Sequence, residues 1–243
     1  MDCLAIDQPA QTSHGIQLWH LDLSELDYAN CANLISMISP LELEHARQFK
    51  FRHLQERHIL SKIFLRLCLS HCTGTAPDRL QFNCNAHGKP RLCNLGARPH
   101  FNVSHAENLV CVAVSFDGEI GVDIETRQDI DVLSIAAQFF HPDEYQQIRN
   151  ANQHEQERLF YRLWTLKEAF FKALGTGITA GLEKINIDLS CEPPKFCASA
   201  DLALPVDAWT LFDTTLNDDT FLALAHQSRR THLAWFNGLR LFN

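Results

Sequence analysis

The middle of the chain leaves the fewest options. Val110-Cys111-Val112-Ala113-Val114 is a compact apolar run, Asp117-Gly118 is a turn signal, and from Ile120 to Glu125 apolar and acidic residues alternate. Short runs rich in β-branched residues and separated by Asp-Gly read as paired strands, so a hairpin is predicted here. Alternation on the second strand sends Asp123 and Glu125 to one face and Val122 and Ile124 to the other. Two carboxylates about 4 Å apart repel by roughly 1 kcal/mol in water and about 4 kcal/mol at an effective dielectric near 20. A bound cation relieves that repulsion, and oxygen-only ligands favour magnesium, manganese or calcium over zinc. The same pattern also describes an ordinary wet strand face.

Helical patterns flank this stretch. Ser39-Pro40, with Glu42 three residues on, has the form of a capping box. Behind it Ile59, Ile63 and Leu67, with Leu60 and Phe64, recur at helical spacing in a segment that closes near Thr73-Gly74. Gly88-Lys89-Pro90 reads as a turn, and His141-Pro142-Asp143-Glu144 as a helix start. Glu155 to Leu174 reads as a long helix stopped by Gly175. On it Trp164, Glu168 and Lys172 stack along one face, with Lys167 beside them; a surface ion pair between Glu168 and Lys172 is the simpler account of the charges. Short strand-like runs lie at Gly15 to Trp19, Ile185 to Ile187, Ala208 to Phe212, Phe221 to Ala225 and His232 to Phe236. Helices and strands mix without a βαβ rhythm, which implies an α+β fold.

A net charge of −8 over 243 residues argues against a nucleic-acid partner, which needs a basic surface. There is a local exception. Arg47, Lys50, Arg52, Arg57, Lys62 and Arg66 crowd one segment with His53 and His58 interleaved, His45 just ahead and Glu56 the only acid inside the span. Such a patch on an acidic protein suits a small polyanion. The nine cysteines are odd in number and have no repeated spacing, so reduced thiols are expected, and no Cys-x-x-Cys pair supports zinc. No apolar run approaches the length of a membrane span, and Met1 to His20 lacks a basic segment followed by an apolar one. A cytoplasmic protein with no membrane partner is expected. Ser104-His105 invites a hydrolase reading, but neighbours on an extended segment point apart and no glycine elbow surrounds the serine. His105 is left as a phosphate donor or as a structural histidine.

Together these motifs resemble the Sfp-type 4′-phosphopantetheinyl transferases. The matching pieces are Ser39-Pro40, Arg57, Gly88-Lys89-Pro90, Phe101-Asn102-Val103-Ser104-His105, Gly121-Val122-Asp123-Ile124-Glu125, and Trp164-Thr165-Leu166-Lys167-Glu168 with Lys172, in order, across roughly residues 39 to 177. The resemblance implies two similar α+β lobes forming a pseudo-dimer, residues 1–117 and 118–243, joined near Asp117-Gly118 with coenzyme A in the cleft between them. It implies magnesium, or manganese in its place, on Asp123, Glu125 and Glu168. Lys172 would sit at the α-phosphate, Ser104, His105 and Lys167 along the phosphates and nucleotide, and Arg57 and Lys89 at the 3′-phosphate. Family members often carry basic residues after the Ser-Pro pair, where this chain has Glu42 and His45, so that grip shifts to Arg57, Lys89 and Arg47. The reaction implied is transfer of 4′-phosphopantetheine from coenzyme A to a serine of an apo acyl, peptidyl or polyketide carrier protein, releasing adenosine 3′,5′-bisphosphate. Glu168 would be its general base, with Asp123 or a metal-bound hydroxide as alternatives. A carrier-docking patch is expected after Phe139-Phe140, and a monomer suffices, since both lobes lie in one chain. A magnesium-dependent phosphohydrolase is the competing enzyme reading, and a coenzyme- or carrier-binding protein without turnover the non-enzymatic one.

Overall fold

Strand β1 (Ile16–Asp22) buries alternate and intervening side chains alike, as a central strand covered on both faces must. The computed structural model describes residues 15–96, 98–177, 181–197, 206–228 and 232–242; Cys3 and Ile178 lie outside them. Helix α1 (Pro40–Arg47) starts as its sequence requires, with Ser39 and Glu42 closing a reciprocal capping box. Helix α2 (Arg52–Thr73) stops at Gly74, whose left-handed φ of 70° lets its N–H reach Ser70 O. A ribbon of β2 (Phe82–Cys84) and β3 (Pro90–Leu92) follows, then β4 (His100–Ala106) and β5 (Leu109–Ser115).

The second half follows a similar order with one α-helix more. After β6 (Ile120–Thr126) come α3 (Val132–Phe139), α4 (Pro142–Asn150) and α5 (Gln153–Leu174), which ends at Gly175 with the same left-handed cap. A short ribbon, β7 (Ile187–Asp188) with β8 (Lys195–Phe196), precedes β9 (Thr210–Asn217) and β10 (Thr220–His226). The first sheet has the order β11-β1-β5-β4 and the second β6-β10-β9. The mixed α+β architecture matches the expectation. One boundary does not: β11 (Leu233–Asn237) returns to lie parallel to β1, so the described residues from Leu233 onward belong with the first sheet rather than with the second lobe. Its Phe236, with Leu239, Leu241 and Phe242, packs against α2 and the first sheet, while Leu233 and Trp235 pack in the apolar layer between the two sheets.

The mid-chain hairpin is also corrected. β5 pairs with β1 and β4, whereas β6 pairs with β10, so Asp117-Gly118 joins two sheets instead of closing one. Ser115 Oγ accepts the N–H groups of Asp117 and Gly118, and Asp117 Oδ2 accepts Gly15 N, which turns the chain across the seam. A Cβ on Gly118 would collide with Gln227 O. Three apolar clusters result: α2 against the first sheet, α5 against the second, and Ile16, Leu18, Cys111 and Ala113 against Ile120, Val122, Ile124, Leu222 and Leu224 between the sheets. No helix among the described residues is long and apolar enough to cross a membrane.

Candidate active site at the seam of the two sheets

Strands β4 and β6 meet edge to edge, stitched by side chains. Asn102 Oδ1 accepts Val122 N at 2.9 Å, and Ser104 Oγ accepts Ile124 N at 3.2 Å. Residues 121, 123 and 125 of β6 face α5. Gly121 is required there, because a Cβ would strike Ala169 O and Ala173 N. That close approach brings Glu168 and Lys172, one turn apart on α5, against Asp123 and Glu125.

Lys172 Nζ donates to Asp123 Oδ1 at 2.5 Å and to Ser104 Oγ at 2.9 Å, and Ser104 Oγ lies 3.0 Å from Asp123 Oδ1. Lys172 therefore pairs with Asp123 and not with Glu168. Asp123 is 1% exposed, yet its Oδ2 has no hydrogen-bond partner among the described residues. Burial and the Asp123 charge push the Glu125 carboxyl up to about 7, against the pull of Lys172 and a hydrogen bond with Trp164. Glu168 is also raised to about 7, by burial, then by Asp123 and, more weakly, by Glu125. The three acids thus feel one another's charge.

Among the described residues no three acidic, His or Cys side chains close into a finished metal cage. The Lys172 ammonium draws Asp123 Oδ1 to itself and supplies part of the missing positive charge. An orphaned buried carboxylate oxygen and two neighbouring carboxyls held partly protonated are nevertheless what a hard divalent cation would resolve, so the donor set fits magnesium.

His105 leaves the opposite face of β4 from Ser104 and meets α2, its Nε2 2.5 Å from Ser61 Oγ. Lost hydration and then repulsion from Lys62, Lys172, His58 and Arg57 hold its pKa down to about 4.

Two expectations fail, those for Lys167 and Phe140. Lys167 does not line the cleft: it is fully buried, and Glu144 Oε2, Leu182 O and Ile185 O, at 2.8, 2.9 and 2.5 Å, take its three hydrogens. One residue along a helix turns the side chain by about 100°, which carries Lys167 away from the Glu168 face and into the core. Lys89 is 8% exposed and its ammonium is given to Glu119 Oε2, Ile120 O and Ala173 O, while the residue lines a cavity together with Asn102, Phe171 and Lys172. Phe140 is buried, stacked on Phe160 at 5.3 Å, and cannot form a docking surface, although Phe139 is exposed. Sequence reasoning also passed over Ser61, Asn102, Glu119 and Glu144, whose partners lie far away in the chain. For Asn102, membership in the Phe101–His105 motif was the one available signal.

Comparison with known proteins identifies the family. The family model described as 4′-phosphopantetheinyl transferase superfamily matches residues 119–225, and one described as 4′-phosphopantetheinyl transferase, N-terminal, matches residues 26–117. The 4′-phosphopantetheinyl transferase HetI of Nostoc sp. is 33% identical over 216 residues, 88% of each chain. The transferase psf-1 of Bacillus pumilus is 32% identical over 72% of this chain and 76% of its own, and Sfp of Bacillus subtilis is 33% identical over 64% and 68%. With two family models meeting at Gly118 and a relative matched along most of both chains, this protein belongs to the 4′-phosphopantetheinyl transferase superfamily.

Proposed function

We propose that the protein transfers the 4′-phosphopantetheine arm of coenzyme A to a serine hydroxyl of an apo carrier protein. The observation that carries this reading is the meeting of Asp123, Glu125, Glu168, Lys172 and Ser104 at the seam between the two sheets. Asp123, Glu125 and Glu168 would hold magnesium, which when bound supplies positive charge against the pyrophosphate.

In this scheme the carrier serine oxygen attacks the β-phosphorus, its proton passes to a Glu168 carboxylate oxygen directly or through water, and the bond to the bridging oxygen breaks. Adenosine 3′,5′-bisphosphate leaves with the electron pair. Lys172, fixed by Ser104 and Asp123, stands where charge grows on the departing α-phosphate, and preorganised charge of this kind is a large contributor to such steps. The reading includes a cytoplasmic monomer, since one chain supplies both sides of the cleft.

Mass spectrometry of apo carrier proteins incubated with coenzyme A, magnesium and the enzyme tests it. The carrier is expected to gain the phosphopantetheine mass, and Glu168→Gln to lower kcat about 10²- to 10⁴-fold. Unaltered carrier together with phosphate release from coenzyme A alone would instead mark a phosphohydrolase.

A further inference from the structure

A helix end leaves carbonyls without partners in its own ladder. At the end of α5, the helix that carries Glu168 and Lys172, two of them are filled from the first half of the chain. Lys89 Nζ donates to Ala173 O at 2.6 Å, and Asn85 Nδ2 donates to Gly175 O at 2.9 Å. Gly175 leaves room for this approach, since a Cβ there would lie 2.8 Å from Asn85 Nδ2.

The same short turn also grips the start of β6. Lys89 Nζ donates to Glu119 Oε2 at 2.8 Å and to Ile120 O at 3.3 Å. Asn85 shapes the turn from within: its Oδ1 accepts His87 N and Lys89 N, both at 2.9 Å, and Gly88 takes the left-handed φ of 84°. One asparagine therefore closes the turn with its oxygen and reaches α5 with its nitrogen. β6 brings Asp123 and Glu125 to the site and α5 brings Glu168 and Lys172, so residues 85–89 span both elements on which the site is built. Lys172 stands three residues before Gly175, about 4.5 Å along the helix axis, and a displacement at the cap is passed on to it.

Resting on the transfer reading above, we propose that Asn85 is a positioning residue: by capping α5 while it shapes the turn that Lys89 anchors on β6, it sets the height of Glu168 and Lys172 against Asp123 and Glu125. The turn also walls a cavity with Phe171 and Lys172, so a direct contact with the coenzyme is the competing role for Asn85.

Asn85→Asp separates the two. Its carboxylate still accepts His87 N and Lys89 N, but it has no hydrogen for Gly175 O and sets a negative charge against the negative end of the helix dipole. Asn85→Ser keeps an acceptor for the turn, is neutral and stops short of Gly175. Asn85→Asp is expected to lower kcat by up to about 10²-fold, the scale of a small misplacement of a reacting group, and to weaken manganese binding about tenfold, with KM for coenzyme A unchanged. Asn85→Ser is expected to act in the same direction by smaller factors, and it decides by the same readouts if Asn85→Asp does not fold. A lowered Tm with kcat and manganese affinity at their wild-type values, measured well below Tm, would reduce the cap to a structural role and overturn the inference. A raised KM for coenzyme A with kcat and manganese affinity unchanged would overturn it too, as the mark of a direct contact. If wild type leaves the carrier unmodified, the transfer reading fails and the manganese affinities alone decide on the cap: a loss in the variants supports it, and equality overturns it.

Discussion

Lys167 and Lys172 stand five residues apart on α5, and their surroundings give them different work. Lys172 is partly exposed and spends its charge on Asp123 and Ser104 at the site. Lys167 is sealed against Glu144, which also accepts His141 N and Ile187 N and so ties α4, α5 and the start of β7 together. Burial pushes Glu144 up and Lys167 down, toward neutrality, and their mutual attraction opposes both shifts. Removing one partner strands the other, so Lys167→Met is expected to destabilise the fold by about 3–5 kcal/mol in urea unfolding. A residual folded fraction of that variant should keep its KM for coenzyme A, whereas a phosphate-binding role would raise it. The sequence made Asp123 and Glu125 legible because strand alternation has a period of two, which tolerates little error in facing. It misplaced Lys167 because adjacent residues on a helix diverge by about 100°, and motif membership says nothing about angle.

At the scale of elements, α5 against β6 is the contact that makes the site. Both were readable, the helix from its periodicity and the stop at Gly175, the strand from its alternation. Their closeness depends on Gly121, a residue that looks like any strand glycine until a Cβ is placed on it. Gly121→Ala is expected to force α5 outward and cost about 3 kcal/mol, at the upper end for overpacking because backbone atoms are struck. It should abolish transfer in the material that still folds. Unchanged stability and activity would show that the two elements do not need this approach. The predicted hairpin failed at this scale too, since a turn signal records that the chain reverses and not which strand it rejoins. Local capping at Ser39 and Asn152 needs only neighbours, and here the sequence reading of Ser39 held.

The whole molecule is two halves of similar element order, closed by β11 and clasped across the seam. Glu119 receives Lys89, Arg91 and His100, joining the β2–β3 ribbon and β4 to the start of β6. Burial alone would raise its carboxyl, but hydrogen bonds and charge from His100 and Lys89 bring it down to about 2, against an ordinary value of 4.5. A depressed acid contributes stability that is complete above its unfolded value and is lost as pH falls toward the folded one. Unfolding free energy should therefore drop more steeply between about pH 4.5 and 2 in wild type than in Glu119→Gln, which starts lower. Parallel curves would remove the clasp from the account. Such long-range closure was outside what the sequence could show, as was the return of β11, because neither leaves a local pattern.

Binding of manganese to the purified protein, followed by electron paramagnetic resonance of the free ion, tests most directly whether three acids distant in sequence act on one cation. One site per chain is expected in wild type, displaced by magnesium and lost or severely weakened in each of Asp123→Asn, Glu125→Gln and Glu168→Gln, with all three variants folded by circular dichroism. Undiminished binding in folded Glu168→Gln would contradict the account, because the helix and the strand would then not share the ion.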